Sequence, residues 1–138
     1  MTHSTAPLMS AIDTILAVMF YLFTAARAGK ARGEFGIAAP ATVGHPTFER
    51  AYRVQMNTLE QLAAFLPLLW LAAVYPMPVA WIAPLIGLAW IVGRILYLRA
   101  YMRDPTTRAM GAMTSGLAIV ALLALAIAGV LRAGLGWA

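Results

Sequence analysis

Phe48-Glu-Arg-Ala-Tyr-Arg-Val-Gln-Met-Asn-Thr-Leu-Glu60 leads directly into Leu62-Ala-Ala-Phe-Leu-Pro-Leu-Leu-Trp-Leu-Ala-Ala73. The first stretch carries the charges of Glu49, Arg50, Arg53 and Glu60 and the amides of Gln55 and Asn57. The second is apolar throughout and long enough, with its flanks, to continue one helix into a bilayer. Charge at the mouth of such a helix is costly, so it marks either a functional site or an interfacial anchor.

The rest of the chain says that the solvent is lipid. Hydrophobic residues make up 62% and charged residues 11% of the 138 positions, where soluble domains carry about 25% charged residues. A chain of this length is one domain, and small domains leave too much surface exposed to hide so much apolar area from water. The net charge of +5 does not signal nucleic acid, because the basic residues do not form a tail or a single face. Arg27, Lys30, Arg32, Arg50 and Arg53 form one cluster, and Arg94, Arg99, Arg103 and Arg108 a second, both flanking apolar spans. With no cysteine, the chain has no disulfide, no thiolate metal site and no sulfur nucleophile of its own. His3 and His45 have no metal-ligand partners nearby, so no metal is expected and both histidines read as surface residues.

Four spans are expected, at roughly 8–26, 48–75, 79–102 and 106–132, giving an all-α integral membrane bundle. About 20 apolar residues cross roughly 30 Å of hydrocarbon. The first span lacks the basic start and cleavage pattern of a signal peptide, so it belongs to the mature chain. Residues 28–46, rich in Gly and Pro, read as a loop. Pro84 reads as a kink near the start of the third span. Asp104-Pro105 reads as an N-cap followed by the first residue of a new helix. The two basic connections orient toward the cytoplasm and both termini away from it, with Arg132 mildly opposed.

On a helix advancing about 100° per residue, Asn57 falls about 40°, Glu60 about −20° and Arg50 about 60° from Arg53. They form one stripe, with Gln55 on the other side. Arg94, Tyr97 and Tyr101 line up within about 60° on the third helix. Joined by a tight turn, the two helices are expected to be antiparallel neighbours with these polar halves at one depth, and Arg108 opens the fourth helix at the same level. The stripe is a binding site or, with Arg53 and Glu60 paired, an internal ion pair. Arg99 and Arg103 point elsewhere and read as anchors.

The Phe48–Glu60 block resembles the signature of the MAPEG family, the membrane-associated proteins of eicosanoid and glutathione metabolism. Arg94-Ile-Leu-Tyr97-Leu-Arg-Ala-Tyr101 and Arg108 resemble the same family's third helix and its junction with the fourth. The resemblance implies a homotrimer of four-helix subunits binding glutathione between neighbours. It implies that Arg32, Arg53, Gln55, Asn57, Glu60, Arg94, Tyr97 and Tyr101 hold the tripeptide and that Arg108 activates its thiol. The implied activity is glutathione transfer to a hydrophobic electrophile, with glutathione-dependent reduction of lipid hydroperoxides as a second capability. Gln61, Gly33 and Pro67 depart from the eicosanoid-conjugating branch and fit the bacterial members better, which implies a bacterial inner membrane with the glutathione site on its cytoplasmic side. Two other functions remain open: a non-catalytic lipid- or ligand-binding member of the same fold, and a small four-helix exporter using Asp13, which lies near the non-cytoplasmic end where a carboxylate reaches water.

Overall fold

The structure, a computed structural model, describes residues 5–136. Four long helices follow one another: α1 (Thr5–Glu34), α2 (Pro46–Val74), α3 (Ile82–Arg103) and α4 (Ala109–Gly134). Each is long and apolar enough to cross a membrane. The central helices α2 and α3 each pack on the other three, while α1 and α4 sit diagonally with little mutual contact.

The buried faces show why these sequences pack. Ala6, Ser10, Asp13, Ala17, Thr24, Ala28 and Ala31 form the inner stripe of α1, and Gly111, Ser115, Ala118, Leu122, Ala126 and Gly129 that of α4. Steps of three and four residues keep each set on one helical face. Lipid tails give helices no hydrophobic reason to associate, so small residues that admit close backbone contact supply the packing instead. At Gly111 a Cβ would strike the backbone nitrogen of Tyr97, and at Gly93 one would come within 2.6 Å of the Ser115 backbone nitrogen. The centre is filled by larger groups. Phe65 of α2 and Trp90 of α3 stack with centroids 4.1 Å apart, and the indole N–H of Trp90 donates to Gln61 Oε1 at 3.0 Å. Outward-facing Ile15, Met19 and Leu22 on α1 and Met113, Leu117 and Val120 on α4 are exposed, an apolar sheath suited to lipid.

Three local expectations are corrected. The segment expected as a loop from residue 28 is helical to Glu34, so the connection to α2 shrinks to residues 35–45. Its end is a Schellman motif: the Ile37 N–H reaches the Arg32 carbonyl at 3.0 Å and the Gly36 N–H the Gly33 carbonyl at 3.3 Å. Gly36, at φ 62°, supplies the left-handed turn that the motif requires. Second, α3 begins at Ile82, not Val79, and Pro84 lies in its first turn, where its missing N–H breaks no helical bond. Third, Asp13 does not reach water. It is 1% exposed, lies against Gly87 of α3, and its Oδ2 has no hydrogen-bond partner among the described residues.

Candidate functional site

The α2 segment that opened the reading splits into two faces. Phe48, Ala51, Val54, Thr58 and Leu62 turn inward, while Arg53 and Glu60 are exposed and Asn57 is half-buried at the edge. The alternation follows from steps of three and four: a residue between two apolar positions of the inner stripe must face out. Arg53 and Glu60 do not pair with each other. The one ion pair among the described residues is Lys30–Glu34, at 3.7 Å.

Asn57 and α3 meet. The Asn57 amide donates to the hydroxyl of Tyr97, and the Arg94 guanidinium lies 4.3 Å from the centre of the Tyr97 ring. Arg94 is 1% exposed. Its Nη2 donates to Thr58 Oγ1 at 2.8 Å, and Thr58 in turn donates to the Val54 carbonyl at 2.7 Å. Arg94 Nε has no partner among the described residues. Tyr101 lies one turn along from Tyr97, centroids 5.3 Å apart, and the Arg108 guanidinium lies over the Tyr101 ring at 5.6 Å. A row of contacts thus runs Thr58–Arg94–Tyr97–Tyr101–Arg108, hydrogen-bonded at Thr58–Arg94 and joined beyond by cation–ring and ring–ring contacts, with Asn57 hydrogen-bonded to Tyr97.

Arg108 is exposed and is the N-cap residue of α4, beside the first unsatisfied amides of that helix. The chain reaches it through a single 3₁₀ turn, Pro105–Thr107, capped by Asp104. The Asp104 carboxylate accepts the Thr106 N–H at 2.9 Å, and this backbone hydrogen bond holds its carboxyl below the ordinary carboxylate range. Arg108 also donates to the Pro105 carbonyl at 3.0 Å, which fixes it over the turn.

A cavity of about 520 Å³ opens at this end, bordered by Glu49, Arg50, Tyr52 and Arg53 of α2, Tyr101 of α3 and Pro105. Arg53 and Tyr101 therefore share one wall. Gln55 is half-buried and borders neither the cavity nor that row of contacts. Arg32 stands apart as well. It donates to the Ile37 and Ala41 carbonyls at 3.3 and 2.9 Å and lies 4.6 Å over the Phe48 ring, so within this chain it holds the α1–α2 loop closed.

Several contributors escaped the sequence reading. Thr58 carries no charge and gave no signal beyond lying inside the block. Arg50 leaves the expected stripe to donate to the carbonyls of Met102 and Arg103 at 3.3 and 3.4 Å, satisfying the end of α3 and tying it to α2. His45, read as a surface residue, caps α2 by accepting the Thr47 N–H at 3.2 Å and stacks on Phe35 with centroids 3.6 Å apart.

Fold and site together define a four-span helical membrane protein with an arginine- and tyrosine-rich polar cluster at one end of its bundle. The profile of the MAPEG family matches residues 10–128, and the chain belongs to that family. It is 45% identical over 120 residues to an uncharacterized protein of Synechocystis, covering 84% of this chain and 86% of the relative. It is 37% identical over 118 residues to microsomal glutathione S-transferase 2 of Homo sapiens, covering 86% and 78%. It is 35% identical over 118 residues to leukotriene C4 synthase of Bos taurus, covering 86% and 77%.

Proposed function

We propose that the protein is a membrane-bound glutathione transferase whose site is completed in a homotrimer. The observation that carries this reading is Arg53, exposed on the wall of the 520 Å³ cavity and in no ion pair among the described residues, the neighbouring Glu49 being turned to the Gly44 N–H. A charged side chain held that way in an apolar helix awaits an anionic partner. Glutathione offers two carboxylates, which suit guanidinium forks, and one ammonium, which suits Glu60. Asn57, Tyr97 and Arg94 position the tripeptide, with Gln55 and Arg32 at its margins when a neighbouring subunit closes the site. The exposed stripe of α2 is the surface that a neighbour covers.

Arg108 then acts on the thiol. An unperturbed thiol titrates near 8.5, and lowering it by two units requires about 2.7 kcal/mol of preference for the thiolate. A guanidinium beside the N-terminal amides of α4 supplies favourable charge for that state. The thiol proton leaves to solvent, and the sulfur lone pair forms a C–S bond at an electrophilic carbon of an apolar substrate arriving from the bilayer, as the bond from that carbon to its leaving atom breaks and that atom departs with the electron pair and takes a proton from solvent. With a lipid hydroperoxide, two glutathione molecules are oxidised to the disulfide while the substrate becomes an alcohol and water. The relatives named for glutathione transfer and leukotriene C4 synthesis support the chemistry. The basic loops orient the site to the cytoplasm and both termini away from it.

The test is thiolate absorbance in the near ultraviolet after adding glutathione to the detergent-solubilised protein. Wild type should form thiolate below pH 8, and Arg108→Ala should shift its formation toward the free-thiol value while still binding glutathione. Wild type that binds no glutathione would sink the proposal. Binding without thiolate or turnover would replace it with a non-catalytic ligand-binding role. A detergent-corrected mass of one subunit would remove the trimer.

A further inference from the structure

On the side of the bundle where α1 crosses α3, away from the cavity at Arg53, a trench of about 480 Å³ runs between Phe20 and Phe23 of α1 and Ile95 and Leu98 of α3. Its loop-side end is bordered by Arg27, Arg99 and Met102. Past Arg27 and Met102 it continues into a second depression, of about 370 Å³, bordered by the Lys30–Glu34 ion pair. The trench body is apolar, and the charges on its own rim are Arg27 and Arg99.

Neither arginine has an acidic partner. Arg27 only lies over the Phe23 ring, at 5.7 Å, and both Arg27 and Arg99 are exposed. The chain holds five acidic residues, and their positions are accounted for. Asp13 is buried at 1% exposure, and Glu34 pairs with Lys30. Glu49 accepts the Gly44 N–H at 2.9 Å, and Asp104 caps the 3₁₀ turn. Only Glu60 is left, one carboxylate on α2 for two guanidinium groups on another side of the bundle. No acidic residue borders the trench itself.

We infer that this trench is a binding site for an anionic phospholipid of the leaflet on the basic-loop side, its phosphate between Arg27 and Arg99 and one acyl chain along Phe20, Phe23, Ile95 and Leu98. Basic pockets between spanning helices recognise anionic headgroups by direct charge pairing close to the membrane surface. The exposed apolar side chains of Phe23 and Ile95 favour an amphiphile over a soluble anion, which would leave the trench floor bare. The inference is independent of the glutathione reading, since neither arginine belongs to that site.

Native mass spectrometry of the full-length protein, purified in mild detergent and incubated with phosphatidylglycerol or phosphatidylcholine, tests it. Wild type should retain phosphatidylglycerol preferentially. Arg27→Gln and Arg99→Gln should each lower that retention about five-fold, and the double variant should abolish the preference. Arg103→Gln, which removes a nearby exposed arginine outside the trench, should leave retention unchanged. Ile95→Trp, which fills the trench and keeps both charges, should also lower retention. Equal retention of the two lipids by wild type, or a double variant that keeps the preference, would overturn the inference. So would loss of the oligomer in the double variant without loss of lipid, which would make this face a subunit contact. Unchanged thermal midpoints exclude misfolding as the cause.

Discussion

Thr58 is the neutral end of that row of contacts, and replacing it by Val changes little except its hydroxyl. That hydroxyl accepts the Arg94 Nη2 hydrogen bond at 2.8 Å, inside a site where Thr58 itself is fully buried and Arg94 is 1% exposed. With Arg94 Nε already unpartnered, the variant leaves the guanidinium only its contact with the Tyr97 ring. A hydrogen bond to a charged group contributes about 1.5–3 kcal/mol, and burying a methyl in place of the hydroxyl returns at most about 0.8 kcal/mol. The net loss is about 1–2 kcal/mol, a fall in melting midpoint of about 3–8 °C for a chain of this length. The assay is a thermal scan of wild type, Thr58→Ser and Thr58→Val in one detergent, with glutathione affinity measured by calorimetry. Ser keeps the hydroxyl and should stay close to wild type, while Val should lose both stability and affinity as Arg94 and Tyr97 shift. A Val variant melting within about 1 °C of wild type with unchanged affinity would refute the claim that Thr58 holds Arg94 in place.

Three further outcomes test other parts of the structure. Gly111→Ala should cost about 1–3 kcal/mol through overpacking against the Tyr97 backbone. Gly116→Ala, with nothing within 4 Å of the added carbon, should stabilise by up to about 1 kcal/mol, so denaturant titration should give the two opposite signs. Arg32→Ala should speed chymotrypsin cleavage after Phe35, because the Ile37 and Ala41 carbonyls lose their donor. Weaker glutathione affinity with unchanged cleavage would instead make Arg32 a direct ligand. For Asp104, the folded carboxyl titrates below its ordinary value because it accepts the Thr106 N–H. Its stabilisation is therefore complete above the unfolded value of about 3.9 and fades as pH falls through the lower folded one. The gap in melting midpoint between wild type and Asp104→Ala should be open at pH 7 and close on acidification below about pH 4; a gap constant with pH would remove the cap from the account.

Much of the architecture was legible because the bilayer imposes simple rules. Long apolar runs must be helices in lipid, and small residues three and four apart mark where those helices touch. Boundaries were less legible where side chains from elsewhere decided them. Residues 28–34 looked like loop because Gly29 and Gly33 weaken a helix in isolation, yet the Schellman turn at Gly36 and the Arg32 hydrogen bonds carry α1 to Glu34. Pro84 looked like a kink, and its place in a first turn depended on where α3 begins.

The sequence by itself determined that this is a four-span membrane protein whose charges gather at one end, and that it brings no cysteine sulfur of its own. Composition, span length and the missing cysteine suffice for those statements. Only the tertiary structure decided which members of the Phe48–Glu60 block act together. Helical angle put Arg50 beside Arg53, but Arg50 turned to the open carbonyls ending α3, while Arg53 forms no ion pair among the described residues. Neutral Thr58 became the partner of buried Arg94. The physical reason is that periodicity fixes which face a side chain leaves from, whereas its partner is set by unsatisfied groups on another helix that no single helix records.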